Sequence, residues 1–195
     1  MYGLAAFSVE SNSLERRPSG TSAAYRTDKR VMATNDGEGL EFIDEHSILV
    51  RADRDETWRA LLRIVRTDLT GASWFVRALG VWPAETRGDW SSDPSGATLP
   101  GFAVSEVVAP TWLDLRGRHR FARYALVFEL DEAGAGCTTV RARTFAVFPG
   151  IAGRAYRALV IGSRAHRWIV RRLLRRLARS AGAPKASTPG YFDGA

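Results

Sequence analysis

Residues 150–180 carry nine arginines, one histidine and no acidic residue. At 100° per residue, the apolar side chains fall on one face of a helix and most arginines on the other. This pattern predicts one long helix whose apolar face packs over a sheet or borders a cavity. The predicted apolar face consists of Ile151, Ala155, Ala158, Leu159, Gly162, His166, Ile169, Val170, Leu173 and Leu177.

The same segment has a second interpretation, as a cationic helix that binds anionic lipid or nucleic acid. The net charge of +7 and the pI of 10.3 agree with a polyanionic partner. However, only Lys29 and Lys185 among the 28 basic residues are lysine, which is typical of a GC-rich genome. No known nucleic-acid-binding module accompanies the charge. Binding to nucleic acid or to a membrane surface is therefore the less favoured hypothesis.

The length of 195 residues and the hydrophobic content of 45% predict one domain with tails. Residues 1–40 are rich in Ser, Gly, Arg and Ala, and residues 181–195 have a similar composition with Pro184 and Pro189. Both segments lack apolar periodicity, so we expect them to be disordered. Met32 is a possible natural start. The predicted domain covers residues 41–180, and the absence of a signal-peptide pattern or spanning segment leads us to expect a cytoplasmic protein.

The order of predicted elements is strand, helices, strands and one long helix. Residues 42–50 alternate as a strand, and Asp53 with Glu56 forms a capping pattern before a helix. A second short helix is expected over residues 68–79. Strands are predicted at 102–108, 111–115, 121–130 and 138–148, with a turn around Gly117 and another at 134–136. The pattern predicts an α+β protein, a curved antiparallel sheet covered by the C-terminal helix.

Several chemistries find no support in the sequence. The single Cys137 excludes an internal disulfide, and the three histidines lack metal-ligand spacing, so no metal is predicted. There is no nucleophile elbow and no P-loop lysine. We expect neither a cofactor nor an obligatory protein partner.

Three segments carry a resemblance to a known family. The stretch from Glu45 through Ala52 to Trp58, residues 118–128, and residues 153–157 are similar to the START-like, Bet v 1-like helix-grip superfamily (SRPBCC), in its polyketide cyclase/dehydrase-like branch. The superfamily also includes aromatases and lipid-transfer proteins. One departure is Ala52-Asp53-Arg54, which replaces the usual Pro-Pro or Ala-Pro before the first helix. The resemblance covers residues 42–178 and implies the fold more strongly than a function.

The resemblance implies a cavity between the concave face of the sheet and the last helix. Such cavities hold hydrophobic ligands such as lipids, sterols, polyketides or aromatic molecules. Strand alternation and the helical stripe select the residues that would line it. The predicted ligand-binding residues are Ala122, Tyr124, Leu126, Phe128, Ala142, Thr144, Ala146, Phe148, Leu159, Gly162, His166 and Ile169.

His166 is the residue that we expect to carry acid-base chemistry, if the protein catalyses a reaction. An imidazole on an apolar stripe has a suitable pKa for moving a proton on a phenol or enol, and Tyr124 or Thr144 could orient a carbonyl. The competing interpretation is a core histidine satisfied by a hydrogen bond. His119 lies in a basic turn that could hold an anionic head group, and His46 has no evident partner in the sequence.

Three hypotheses follow. The first is a cofactor-independent protein that binds a hydrophobic small molecule. The second is an enzyme of the polyketide cyclase or aromatase type that uses His166. The third is a module whose arginine face binds anionic lipid or nucleic acid.

Overall fold

The computed structural model describes residues 39–70, 80–160 and 165–182, with the side chains of residues 160, 165 and 166 left out. Most of both predicted tails and most of the predicted second helix lie outside these ranges. Leu40 and Ala181, at the predicted tail boundaries, are described and buried, so the domain extends by at least one residue at each end. The described elements are β1 (Glu41–Val50), α1 (Arg54–Thr70), β2 (Thr98–Leu99), β3 (Phe102–Val108), β4 (Trp112–His119), β5 (Ala122–Glu132), β6 (Thr138–Val147), α2 (Gly150–Val160) and α3 (Ala165–Ala181).

The first helix begins where the sequence predicts. Asp53 accepts a hydrogen bond from the Glu56 backbone N–H at 2.7 Å, so its carboxylate caps the N-terminus of α1. The predicted start of a second helix at Asp68 is wrong, because α1 continues through this residue to Thr70. Asp68 instead forms an ion pair with Arg176 of α3, and it therefore joins the two helices.

All six described strands form one antiparallel sheet in the order β1-β6-β5-β4-β3-β2. The predicted strands are confirmed, with one correction. Gly117 does not form a turn: it lies within β4, opposite Tyr124 of β5, and the chain turns at residues 120–121. The reason is steric, since a Cβ at position 117 would lie 1.8 Å from the Gly101 carbonyl oxygen. Glycine here permits a close backbone approach within a strand.

The main core lies between the concave face of the sheet and the helices α1 and α3. It contains Leu113, Phe128 and Val140 from the strands, with Leu61 from α1 and Leu177 from α3. These side chains are at most 1% exposed. The buried residues of α3 recur at helical spacing, so one face of this helix packs on the sheet and on α1. They are Val170, Leu173, Leu174, Leu177 and Ala181.

The convex face of the sheet carries a ladder of charges. Arg143 lies 2.6 Å from Glu45 and 3.5 Å from Glu129, and Arg141 lies 3.3 Å from Glu129 and 3.0 Å from Asp131. The prediction that Arg141 and Arg143 point away from the concave face is therefore confirmed. Glu129 is buried, so its ion pairs compensate the cost of removing its charge from water.

The C-terminal segment is helical over α2 and α3, and residues 161–164 between them lie outside the described ranges, so the prediction of one continuous helix stays a prediction. Among the described residues, the predicted apolar stripe is mostly buried in α3 and exposed in α2. Ile151 and Leu159 of α2 are 79% and 68% exposed, and Ile169 of α3 is 52% exposed. The physical reason is that α2 packs through Gly153, on the side opposite to Ile151. A Cβ at Gly153 would lie 2.7 Å from the Phe148 carbonyl carbon.

Candidate functional site

One end of the concave face is lined by aromatic rings, of which Phe102 also packs against the main core. We call this region the aromatic end. The phenol of Tyr124 donates a hydrogen bond to the Gly101 carbonyl at 2.9 Å, and its ring contacts Phe102 and His119 at centroid distances of 5.2 and 5.5 Å. The aromatic end consists of Phe102, His119, Phe121, Tyr124, Phe148 and Tyr156.

His119 lies at the centre of this cluster. The Phe121 backbone N–H donates a hydrogen bond to His119 Nδ1 at 3.1 Å. Since Nδ1 is the acceptor, the proton of the neutral ring is on Nε2, which remains a donor. Burial lowers the pKa of the His119 imidazole below its ordinary value. His119 is therefore a neutral hydrogen-bond donor near pH 7, and not a fixed cation.

Helix α2 contributes Tyr156 to the aromatic end. This ring stacks on Phe121 at 5.5 Å and meets His119 edge to face at 4.8 Å. The close approach of α2 at Gly153 makes these contacts possible. Burial raises the pKa of both the Tyr156 and the Tyr124 phenols, so both hydroxyls stay protonated at neutral pH. Tyr124 is thus suited to donate or accept a hydrogen bond, but not to act as a base.

A β-bulge in β1 places a second polar group on the concave face. Phe42 pairs with Phe145 on the convex side, whereas Asp44 pairs with Thr144 on the concave side. Residues 42 and 44 would share a face in a regular strand, and the register shift between them breaks this alternation. As a result, Asp44 and His46 point to the same side as the main core.

Asp44 and His46 form an ionisable pair whose side chains are mostly buried. His46 Nε2 lies 3.5 Å from Asp44 Oδ2, and the two side chains are 12% and 11% exposed. Arg167, in the first turn of α3, lies 3.9 Å from the same carboxylate oxygen. Sequence reasoning missed this pair, although their spacing of two residues on a strand was the signal that could have found it.

The ten predicted ligand-binding residues whose side chains the structure describes fall into three groups. Leu126, Phe128 and Ala142 belong to the packed main core. Tyr124 and Phe148 are half-buried at the aromatic end, and the buried residues Ala122, Thr144 and Ala146 occupy the same sheet face as Tyr124. Leu159 and Ile169 are more than half exposed, which differs from the expected burial of the stripe. Gly162 and the side chain of His166 lie outside the described residues, so their roles stay predictions.

No group of three or more His, Cys, Asp or Glu side chains in the described part of the chain could hold a metal ion. No helix in the same residues is sufficiently long and apolar to cross a membrane.

The topology decides the architecture, since a six-stranded antiparallel sheet holds the C-terminal helix α3 against its concave face. This is the helix-grip fold. The α+β class expected from the sequence is thereby confirmed, and the fold implied by the family resemblance is the one observed. Within it, the aromatic end and the Asp44–His46 pair lie on the concave side.

This chain is similar to several solved structures. The KanY protein matches with a TM-score of 0.49 at 13% identity, over 74% of this chain and 99% of that one. The Zhui aromatase/cyclase from Streptomyces sp. R1128 matches with a TM-score of 0.44 at 14% identity, over 73% of this chain and 93% of that one. Norcoclaurine synthase from Thalictrum flavum matches with a TM-score of 0.43 at 11% identity, over 71% of this chain and 94% of that one. No protein-family model and no curated protein matches the chain.

The pKa of His119 predicts a pH dependence of stability. Because the folded-state pKa is lowered, the unfolded chain binds more protons as the pH falls through the ordinary histidine value of about 6.5. The free energy of unfolding should therefore decrease from about pH 7.5 to about pH 5.5. Urea unfolding at both values should show a smaller decrease for His119→Gln, whereas the exposed control Ser47→Ala should behave as the wild type. Equal decreases in all three proteins would contradict the assignment.

Proposed function

We propose that this protein binds a hydrophobic small molecule, of lipid, polyketide or aromatic type, on the concave face between the sheet and the C-terminal segment. The observation that carries the proposal is the aromatic end, where rings from β3, β4, β5 and α2 meet beside the packed core, with Phe102 of β3 in contact with that core. Ligand sites are largely apolar with a few placed polar groups. The aromatic end has this composition, with the His119 ring N–H and the Tyr156 hydroxyl as its polar groups.

The small residues beside Tyr124 support an aromatic ligand. Ala146 is the register partner of Tyr124, and Ala122 is the partner of His119. Larger side chains at these two positions would occupy the space next to the rings. A planar ligand can take the edge-to-face or offset positions that aromatic side chains prefer among themselves.

The test is titration of the full chain with 2-naphthol, a fluorescent aromatic probe, together with native mass spectrometry for a co-purified hydrophobic ligand. Tyr156→Ala removes one wall of the aromatic end and should weaken probe binding about tenfold, the upper range for an aromatic pair. The matched control is Phe42→Ala, since Phe42 is 56% exposed on the convex side. Equal affinities of the two variants would refute the proposed site.

A second candidate function is an enzyme of the polyketide cyclase or aromatase type. The observation that favours it is the Asp44–His46 pair, whose carboxylate could orient the imidazole so that the other ring nitrogen accepts a proton. Helical periodicity places position 166 on the same helix face as Val170 and Leu173, so His166 remains the proposed acid-base residue. If this function is correct, His166→Ala abolishes turnover and leaves the fold intact. If the wild type shows no turnover and His166→Ala still binds the ligand, the first function is supported instead.

A further inference from the structure

The outward face of α2 is apolar. Gly153 is buried and Tyr156 half-buried against the end of the sheet, whereas Ile151 and Leu159 are 79% and 68% exposed. The intervening Ala155 and Ala158 are exposed as well. At helical spacing these four residues form a stripe on the solvent side. An amphipathic helix usually buries its apolar stripe, and α2 presents part of its stripe to solvent instead.

The start of α3 continues this surface. Trp168 and Ile169 are 60% and 52% exposed, and the Arg172 guanidinium lies 5.4 Å from the Trp168 ring centre. Arg171 and Arg175 are also exposed. We call the exposed set the cationic helix surface, and it consists of Ile151, Leu159, Trp168, Ile169, Arg171 and Arg175.

The two helices reach the sheet at the same place. Arg157 of α2 lies 3.3 Å from Glu41, and Arg167 of α3 lies 3.9 Å from Asp44. Glu41 and Asp44 are three residues apart on β1. One arginine from each helix therefore contacts the first residues of the same strand.

The positive charge of these helices favours an anionic partner. Residues 150–182 contain nine arginines and no acid. Two copies of this chain joined through the surface would bring arginines against arginines, with no acid on either helix to neutralise them. A nucleic acid would neutralise the arginines but would leave the exposed Ile, Leu and Trp side chains without an apolar partner. An anionic lipid bilayer satisfies both the charges and the apolar groups.

We infer that the cationic helix surface docks this protein onto anionic lipid membranes. Ile151, Leu159 and Trp168 enter the boundary between headgroups and acyl chains, and the arginines contact the lipid phosphates. Interfacial amphipathic helices have this combination of aromatic, aliphatic and basic residues. The surface lies outside the concave face, so the inference is independent of the proposed ligand site.

The experiment is co-sedimentation of the full chain with phosphatidylcholine vesicles, with and without phosphatidylglycerol. We expect binding to the anionic vesicles that weakens with added salt, since screening reduces the attraction of exposed charges. Arg171→Gln with Arg175→Gln should weaken this binding at least about tenfold, because each basic residue near an anionic surface contributes about 1 kcal/mol. Ile151→Gln with Leu159→Gln should weaken it at least about tenfold as well, since both side chains would lose apolar burial.

Matched controls remove the same number of charges, or replace the same number of exposed aliphatic side chains, elsewhere on the protein. Arg63→Gln with Arg66→Gln alters two exposed arginines of α1, and Leu49→Gln with Val108→Gln alters exposed apolar residues of β1 and β3. Both controls should bind like the wild type. Failure to bind anionic vesicles, equal binding to neutral vesicles, or equal losses in the controls would each overturn the inference. Dimerisation through this surface, or binding to DNA but not to vesicles, would also overturn it.

Discussion

Replacing Gly117 with alanine should lower the free energy of unfolding by at least about 3 kcal/mol, the upper range for overpacking. The added Cβ would lie 1.8 Å from the Gly101 carbonyl oxygen and 2.7 Å from the Tyr124 ring. Both neighbours are fixed: the Gly101 N–H donates to the Pro83 carbonyl at 2.7 Å, and its carbonyl accepts the Tyr124 hydroxyl at 2.9 Å. Strands β3 and β4 must therefore separate locally. Urea unfolding measures this loss.

The matched control for this substitution is Gly134→Ala. Nothing lies within 4 Å of a Cβ at Gly134, so only its positive φ of 79° opposes alanine. That conformation costs about 1–2 kcal/mol for a residue with a side chain. A loss at Gly117 no larger than at Gly134 would show that the close approach to Gly101 is not rigid. If Gly117→Ala loses more stability than Gly134→Ala and also binds the probe more weakly, the close approach to Gly101 supports the geometry of the aromatic end.

Phe128→Ala should be the most destabilising substitution among the predicted ligand-binding residues, with an expected loss of about 3–5 kcal/mol. Phe128 is 0% exposed and lies between its register partners Leu113 and Ala142 in the main core. Removing its ring leaves a cavity that the surrounding strands cannot fill. Thermal and urea unfolding would measure the effect.

The control for Phe128 is again the exposed Phe42, whose replacement by alanine should cost less than about 1 kcal/mol. Comparable losses at the two sites would mean that Phe128 lies in a loosely filled region and not in a packed core. If Phe128→Ala instead caused a small loss of stability and a large loss of probe affinity, Phe128 would belong to the ligand site. The expected outcome therefore separates the packed part of the concave face from the aromatic end.

The strands and the first helix could be predicted because their signals are local. Alternation identified both faces of β5 and β6, and it placed Arg141 and Arg143 on the convex side. The cap at Asp53 depends on residues three positions apart. Such features need no knowledge of distant parts of the chain.

The candidate site was harder to predict because its residues meet through tertiary contacts. The sequence predicts His119 in a basic turn and the turn itself around Gly117. In the structure both belong to β4, since Gly101 approaches this strand and Tyr156 of α2 packs on its last residue. The pairing of Asp44 with His46 was also missed, and only the register shift in β1 shows that both face the concave side.

The order of the described elements, the faces of the strands and the apolar stripe on the C-terminal segment all follow from the sequence. Periodicity indicates which residues share a face, because it follows from backbone geometry alone. It does not indicate what packs against that face. The burial of the stripe in α3 depends on tertiary contacts, because the sheet and α1 supply its apolar partners. In α2 the close contact at Gly153 turns Ile151 and Leu159 toward solvent.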